Sequence, residues 1–131
     1  MTWLLDTNVL IHAQRGRPEA VRRRLRAVSP ENVVISTVTV AELWYGIARS
    51  EDPDRKRELW SRFLTPFDVL AFDRAAAEVH GGLRFALRHH PIGERELLIA
   101  AIALANDLTV VTAKTREFRR VPGLRVEDWG E

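Results

Sequence analysis

The chain has 131 residues, no cysteine, 46% hydrophobic residues and a formal net charge of +2. This is the composition of one globular domain with a real core, and it excludes disulfides and a thiolate metal site. No apolar run approaches the roughly 18 residues of a membrane span, and the N-terminus lacks the basic and apolar regions of a signal peptide, so a soluble, cytoplasmic protein is expected.

In chain order, Trp3–Leu5 reads as a short buried strand that runs straight into Asp6, Thr7 and Asn8. These three polar residues are suited to cap the helix predicted over Asn8–Gln14. A carboxylate at the C-terminal end of a buried strand also points into the crevice where α/β proteins bind ligands. "GRP" breaks the first helix, and Glu19–Val28 forms an arginine-rich one. Of the 20 basic residues, only Lys56 and Lys114 are lysines, and the arginines are densest at Arg15, Arg17 and Arg22–Arg26. Arginine binds phosphate in a planar, bidentate way, but Val21, Leu25 and Val28 share one helix face, so a solvated opposite face explains the cluster equally well.

"SPEN" is a turn, Val33–Ser36 a strand, and Thr37 or Thr39 opens a helix reaching about Ser50. "EDPD" caps a helix over roughly Arg55–Leu64, Asp68–Phe72 is a strand, and Asp73 caps a long helix to about His90. After the "HPIG" loop come a helix over Glu94–Asn106, a strand over Thr109–Thr112 and a last strand over Leu124–Val126. Strands separated by helices predict a parallel sheet covered on both faces, an α/β architecture. The strands are unbroken apolar runs, as burial on both sides requires. Trp44, Tyr45, Trp60 and Phe63 are more aromatics than a small core needs, so the helices after Ser36 and Asp54 are expected to offer a partner surface; core packing is the competing explanation.

Two of these helices carry an isolated acid. "VTVAELWYGIA" has one charge, Glu42, in a helix apolar nearly all round, which implies burial. Glu96 opens "ELLIAAIALA", where the helix dipole alone would favour it. With Asp6 at the end of the first strand and Thr112 at the end of a later one, four elements open at one sheet edge. Carboxylates crowded there would repel and raise one another's pKa, and a hard divalent cation relieves that repulsion. Mg²⁺ or Mn²⁺ takes oxygen ligands and keeps several waters. His12, His80, His89 and His90 fall outside the expected crevice, which disfavours zinc. An acid-held ion in an arginine-rich domain best suits phosphodiester hydrolysis. Gly81-Gly82 lies mid-helix and lacks the spacing of a phosphate loop.

"LLDTNVLI" at Leu4–Ile11, "STVTVAELWYGIAR" at Ser36–Arg49 and "PIGERELLIAAIALANDLTVVTAKTREFRRVPGLRVEDW" at Pro91–Trp129 together resemble the PIN-domain ribonucleases, above all the VapC toxins of type II toxin–antitoxin systems. The resemblance spans the whole chain, residues 1–131. It implies a three-layer α/β/α sandwich with a central parallel sheet. It further implies Mg²⁺- or Mn²⁺-dependent cleavage of tRNA or rRNA, a homodimer, and neutralisation by a VapB-like antitoxin. Asp6 and Glu42 match the family's first two acids. Glu96 stands where the family usually has aspartate, so the carboxylate sits on a longer arm. Thr112 matches a hydroxyl that supports the site, and Asn8 belongs beside it. Lys114 replaces an Asp or Asn, and Glu117 or Glu94 is the acid available to compensate.

Two other readings follow from the same residues. One is a PIN fold impaired in catalysis, acting through RNA or partner binding. The other is a phospho-receiver domain, which needs an acidic pair after its first strand and an aspartate after its third; here Thr7 and Asn8 follow Asp6, and Asp73 reads as a helix cap.

Overall fold

The computed structural model describes residues 1–130. Five strands, β1 (Trp3–Leu5), β2 (Val33–Ser36), β3 (Asp68–Leu70), β4 (Thr109–Val111) and β5 (Arg125–Glu127), form one sheet in the order β3-β2-β1-β4-β5. Every pairing is parallel, with Leu4 opposite Val34 on one side and Val110 on the other.

Strand residues alternate between the two faces. Leu4, Val34 and Val110 point into one core with α5 (Arg74–Ala86), α6 (Glu94–Ala105) and Phe118 of α7 (Thr115–Phe118). Leu5, Val33, Ile35 and Val111 point into the other, against α1 (Thr7–Arg15), α2 (Glu19–Ala27), α3 (Thr37–Ala48) and α4 (Pro53–Leu64). The result is the expected three-layer α/β/α sandwich.

Burial on both sides holds for β2 and β4 and nearly so for β1, but not for the edge strands: Asp68, Val69 and Arg125 are exposed. The sequence reading treated all five strands as interior, whereas only a central strand has neighbours covering both its edges. Other boundaries also moved. β3 ends at Leu70, β5 is shifted one residue on, and α5 stops at Ala86, short of His90. Pro53 starts α4, with Asp52 as its cap, as the fixed φ of proline favours at a helix start. The four-residue α7 was not expected.

The arginine cluster divides. Arg22 donates from Nε to Ala13 O (3.0 Å) and from Nη2 to Gln14 O, closing the end of α1. Gly16, at φ 77°, leaves room for that guanidinium, which lies 2.8 Å from where a Cβ would stand. Arg24 lies over the Trp129 ring and pairs with Glu127. Arg23 and Arg26 remain exposed. Trp60, expected on a partner surface, is 8% exposed and packs edge-on to Phe63. Tyr45 is the exposed member of that set, at 67%.

Candidate active site

β2 and β3 extend the sheet from one side of β1, and β4 and β5 from the other. The chain therefore reverses direction at β1, and a crevice opens beyond the strand ends there. That crevice is a cleft of about 350 Å³ whose lining includes Asp6, Thr7, Glu42, Glu96 and Lys114.

Asp6 performs both tasks its position suggested. Its Oδ1 accepts the Val9 amide at 3.0 Å, capping α1. Its Oδ2 accepts the Thr112 hydroxyl at 2.5 Å, across the β1–β4 junction that Leu5 and Val111 register. Thr112 Oγ1 in turn accepts the Lys114 amide at 2.9 Å, which leaves its proton facing Asp6. The side chain is 5% exposed. Burial pushes the Asp6 carboxyl above its ordinary value; the Thr112 and Val9 donors and the Lys114 charge pull it down, and Glu96 adds a small upward push. Low dielectric around the carboxylate, not crowding by other acids, is thus the main cause.

Glu42 accepts the Thr7 hydroxyl on Oε1 (2.8 Å) and Arg95 Nη1 on Oε2 (3.2 Å). Glu96 Oε1 lies 3.4 Å from Lys114 Nζ. Its longer arm folds back over Gly93, where a Cβ would stand 2.5 Å from Oε1. Asn8 and Glu94 sit exposed on the rim of the cleft. Glu117 accepts the Gly93 amide at 2.6 Å and so braces the start of α6.

The three acids share one cleft, but the close convergence expected of them is not present. Among the described residues, no three His, Asp or Glu side chains lie close enough together to hold an ion. Arg95 and Lys114 each draw one glutamate aside. Asp6 differs from both, having no ion pair among the described residues. A buried carboxylate without a cation partner is costly unless something pairs with it or coordinates it. The donors are oxygens only, which suits a hard divalent ion. In this chemical sense the residues fit one.

Sequence reading missed Thr7, Arg95 and Gly93. Thr7 was within reach of the reasoning, since it follows Asp6 at the same strand end. Arg95 and Gly93 gave no periodic or spacing signal.

The strand order also removes the phospho-receiver alternative. The doubly-wound order of that class places the third strand beside the first, whereas here β4 lies beside β1 and β3 is at the edge. Asp73 caps α5 through the Ala76 amide (2.9 Å).

Residues 3–124 match the PIN domain. The chain is 39% identical over 131 residues to the tRNA(fMet)-specific endonuclease VapC of Shigella flexneri, covering 98% of each chain. It is 32% identical to Ribonuclease VapC2 of Rickettsia felis over 132 residues, again covering 98% of each. Among solved structures, DNA-bound VapBC from Salmonella typhimurium superposes with a TM-score of 0.90 at 36% identity, over 98% of each chain. VapBC-1 from nontypeable Haemophilus influenzae superposes at 0.89 and 27% identity, over 100% of each.

Proposed function

The chain belongs to the PIN-domain family, and from that premise we propose that it is an endoribonuclease of the VapC kind, dependent on Mg²⁺ or Mn²⁺ and neutralised by a VapB-like antitoxin. It acts as a single-domain homodimer in the cytoplasm. The tRNA specificity in the name of its Shigella relative makes tRNA the first substrate to test. PIN ribonucleases are generally divalent-metal dependent; Asp6, Glu42 and Glu96 are the residues that would hold the ion here.

The observation that carries this reading is Asp6: a buried carboxylate, unpaired by any cation among the described residues, at the mouth of the sheet. Bound, the ion supplies an activated water and offsets charge growing on the phosphate oxygens. The chain's own residues do the rest. Thr112 and the Val9 amide fix the two oxygens of Asp6. Thr7 fixes one oxygen of Glu42. Arg95 and Lys114 supply cations at the rim for the phosphodiester, and Asn8 offers a polar contact beside them.

The test is cleavage of total RNA and of tRNA with Mn²⁺, with an EDTA control, by the wild type, Asp6→Asn and Glu42→Gln. Loss of cleavage in EDTA and in both variants is expected. Near-wild-type cleavage by either variant would remove that residue from the ion's ligands. Sequencing the new RNA 5′ ends in cells expressing wild type or Asp6→Asn identifies the target. The Arg95–Glu42 and Lys114–Glu96 pairs favour one second reading, a catalytically impaired PIN protein that binds RNA or partner. Retained RNA binding without Mn²⁺-dependent cleavage would select it.

A further inference from the structure

Glu42 stands on α3, and a glutamate side chain has three rotatable bonds. Arg95 holds its Oε2, and what fixes Oε1 is a row of hydroxyls. Thr7 Oγ1 lies 2.8 Å from Glu42 Oε1 and 3.1 Å from Thr39 Oγ1. Thr39 Oγ1 lies 3.4 Å from Ser36 Oγ. Ser36 and Thr39 are both 0% exposed.

Each hydroxyl has one proton to give, so the direction of the row is determined. A carboxylate oxygen accepts, and therefore Thr7 donates to Glu42. Its proton is then committed, so towards Thr39 it accepts and Thr39 donates. Thr39 in turn accepts from Ser36. Ser36 Oγ also accepts the Thr39 amide at 3.1 Å, which caps α3 and fixes the start of the row. The four residues come from β2, α3 and α1, so the row ties three elements to one carboxylate oxygen. Thr39 and Glu42 are one helical turn apart and share a face. Hydrogen bonds in such a chain polarise one another, and a dry environment strengthens them.

We propose that Thr39, acting through Thr7, is a positioning residue for Glu42: the Ser36–Thr39–Thr7 hydroxyl row fixes Oε1 and so holds the carboxylate at the cleft, where Oε2 meets Arg95. This rests on the nuclease reading above. The row sets the orientation of a ligand side chain and touches no substrate, so its effect belongs in ion affinity and kcat, not in KM for RNA.

The experiment compares Thr39→Val, which keeps shape and removes the hydroxyl, with Thr39→Ser, which keeps the hydroxyl. Mn²⁺ binding is titrated calorimetrically, and kcat and KM are measured on one RNA. Both variants are also made in the Glu42→Gln background. Thr39→Val should weaken Mn²⁺ binding and lower kcat by roughly fivefold each, about the value of one hydrogen bond, with KM unchanged. Thr39→Ser should restore both. In the Glu42→Gln background, Thr39→Val should add no further loss of Mn²⁺ affinity. Thr7→Val tests the same row from a half-buried position and stands in if Thr39→Val does not fold. Wild-type Mn²⁺ affinity and kcat in both valine variants, or an undiminished loss in the Glu42→Gln background, would overturn the proposal while the nuclease reading stood. If Glu42→Gln itself bound Mn²⁺ and cleaved RNA like the wild type, the proposal would fall with Glu42's place among the ligands while the nuclease reading stood; a wild type without Mn²⁺-dependent cleavage would remove the nuclease reading.

Discussion

At the residue scale, replacing Asp6 with asparagine is expected to abolish cleavage and yet stabilise the ion-free protein. Asparagine keeps an oxygen for the Val9 amide and carries no charge into a site that is 5% exposed. The pH dependence follows from the sign of the shift. Folding raises the Asp6 pKa above 3.8, so as pH rises past 3.8 the unfolded chain gives up this proton first and the wild type loses stability. The loss is complete once pH passes the raised value. Thermal melts in EDTA should show Asp6→Asn more stable at pH 7, with the gap closing as pH falls below 3.8. An equal gap at both pH values would mean that something other than the buried charge separates the two proteins. Gly93→Ala is a second test at this scale. A Cβ would meet the Glu96 carboxylate at 2.5 Å while the backbone φ of −58° is ordinary. The flexible acid should swing away, lowering Mn²⁺ affinity with little change in melting temperature.

Elements carry charge and shape that single residues do not. Lys114 is the residue from which α7 starts, and its ammonium competes with a divalent ion for Glu96. Lys114→Asp reverses a charge a few ångströms from the cleft, worth about 1 kcal/mol where water screens it, so Mn²⁺ should bind roughly fivefold tighter. Calorimetry showing no gain would mean that the lysine stem holds its charge clear of the site. On the other side of the cleft, α1, α3 and α4 enclose a groove of about 530 Å³ that also reaches Glu42. Its floor is apolar (Ile11, Leu43, Ile47, Trp60) and its rim is basic (Arg15, Arg49, Arg55, Lys56). The partner such a pattern would take is an amphipathic, acidic segment, as the proposed antitoxin would have to supply. Leu59 is 41% exposed there, so Leu59→Arg should weaken antitoxin binding without lowering the melting temperature. Trp60→Ala, by contrast, empties core and should cost about 3–5 kcal/mol of stability.

Across the whole molecule, what was legible in the sequence is what periodicity and punctuation encode. β1, β2 and β4 are continuous apolar runs between caps, and Asp6 and Asp73 cap helices as their positions suggested; Ser36, read only as a strand end, caps α3. The placement of Asp6, Glu42 and Glu96 on one cleft, with Thr112 buried behind Asp6, followed from parallel strands ending at one edge. Strand order was not legible, because pairing between distant segments leaves no local mark, and the exposure of β3 and β5 went unseen with it. Nor were the partners of the acids: the Arg95–Glu42 and Lys114–Glu96 pairs depend on side-chain reach across two helices and a loop.

The hydrogen bond between Asp6 and Thr112 joins residues 106 positions apart, and β1 is complete only when β4 closes its second edge. On a ribosome Asp6 is made long before Thr112, and β1 waits over that interval without one of its neighbours. Until Thr112 has emerged, Asp6 lacks the donor on Oδ2 and the sheet lacks the junction that holds it. The arrangement makes completion of the site wait on the emergence of β4. A ribonuclease of the proposed kind would thus be withheld from the RNA around it until that strand has left the ribosome.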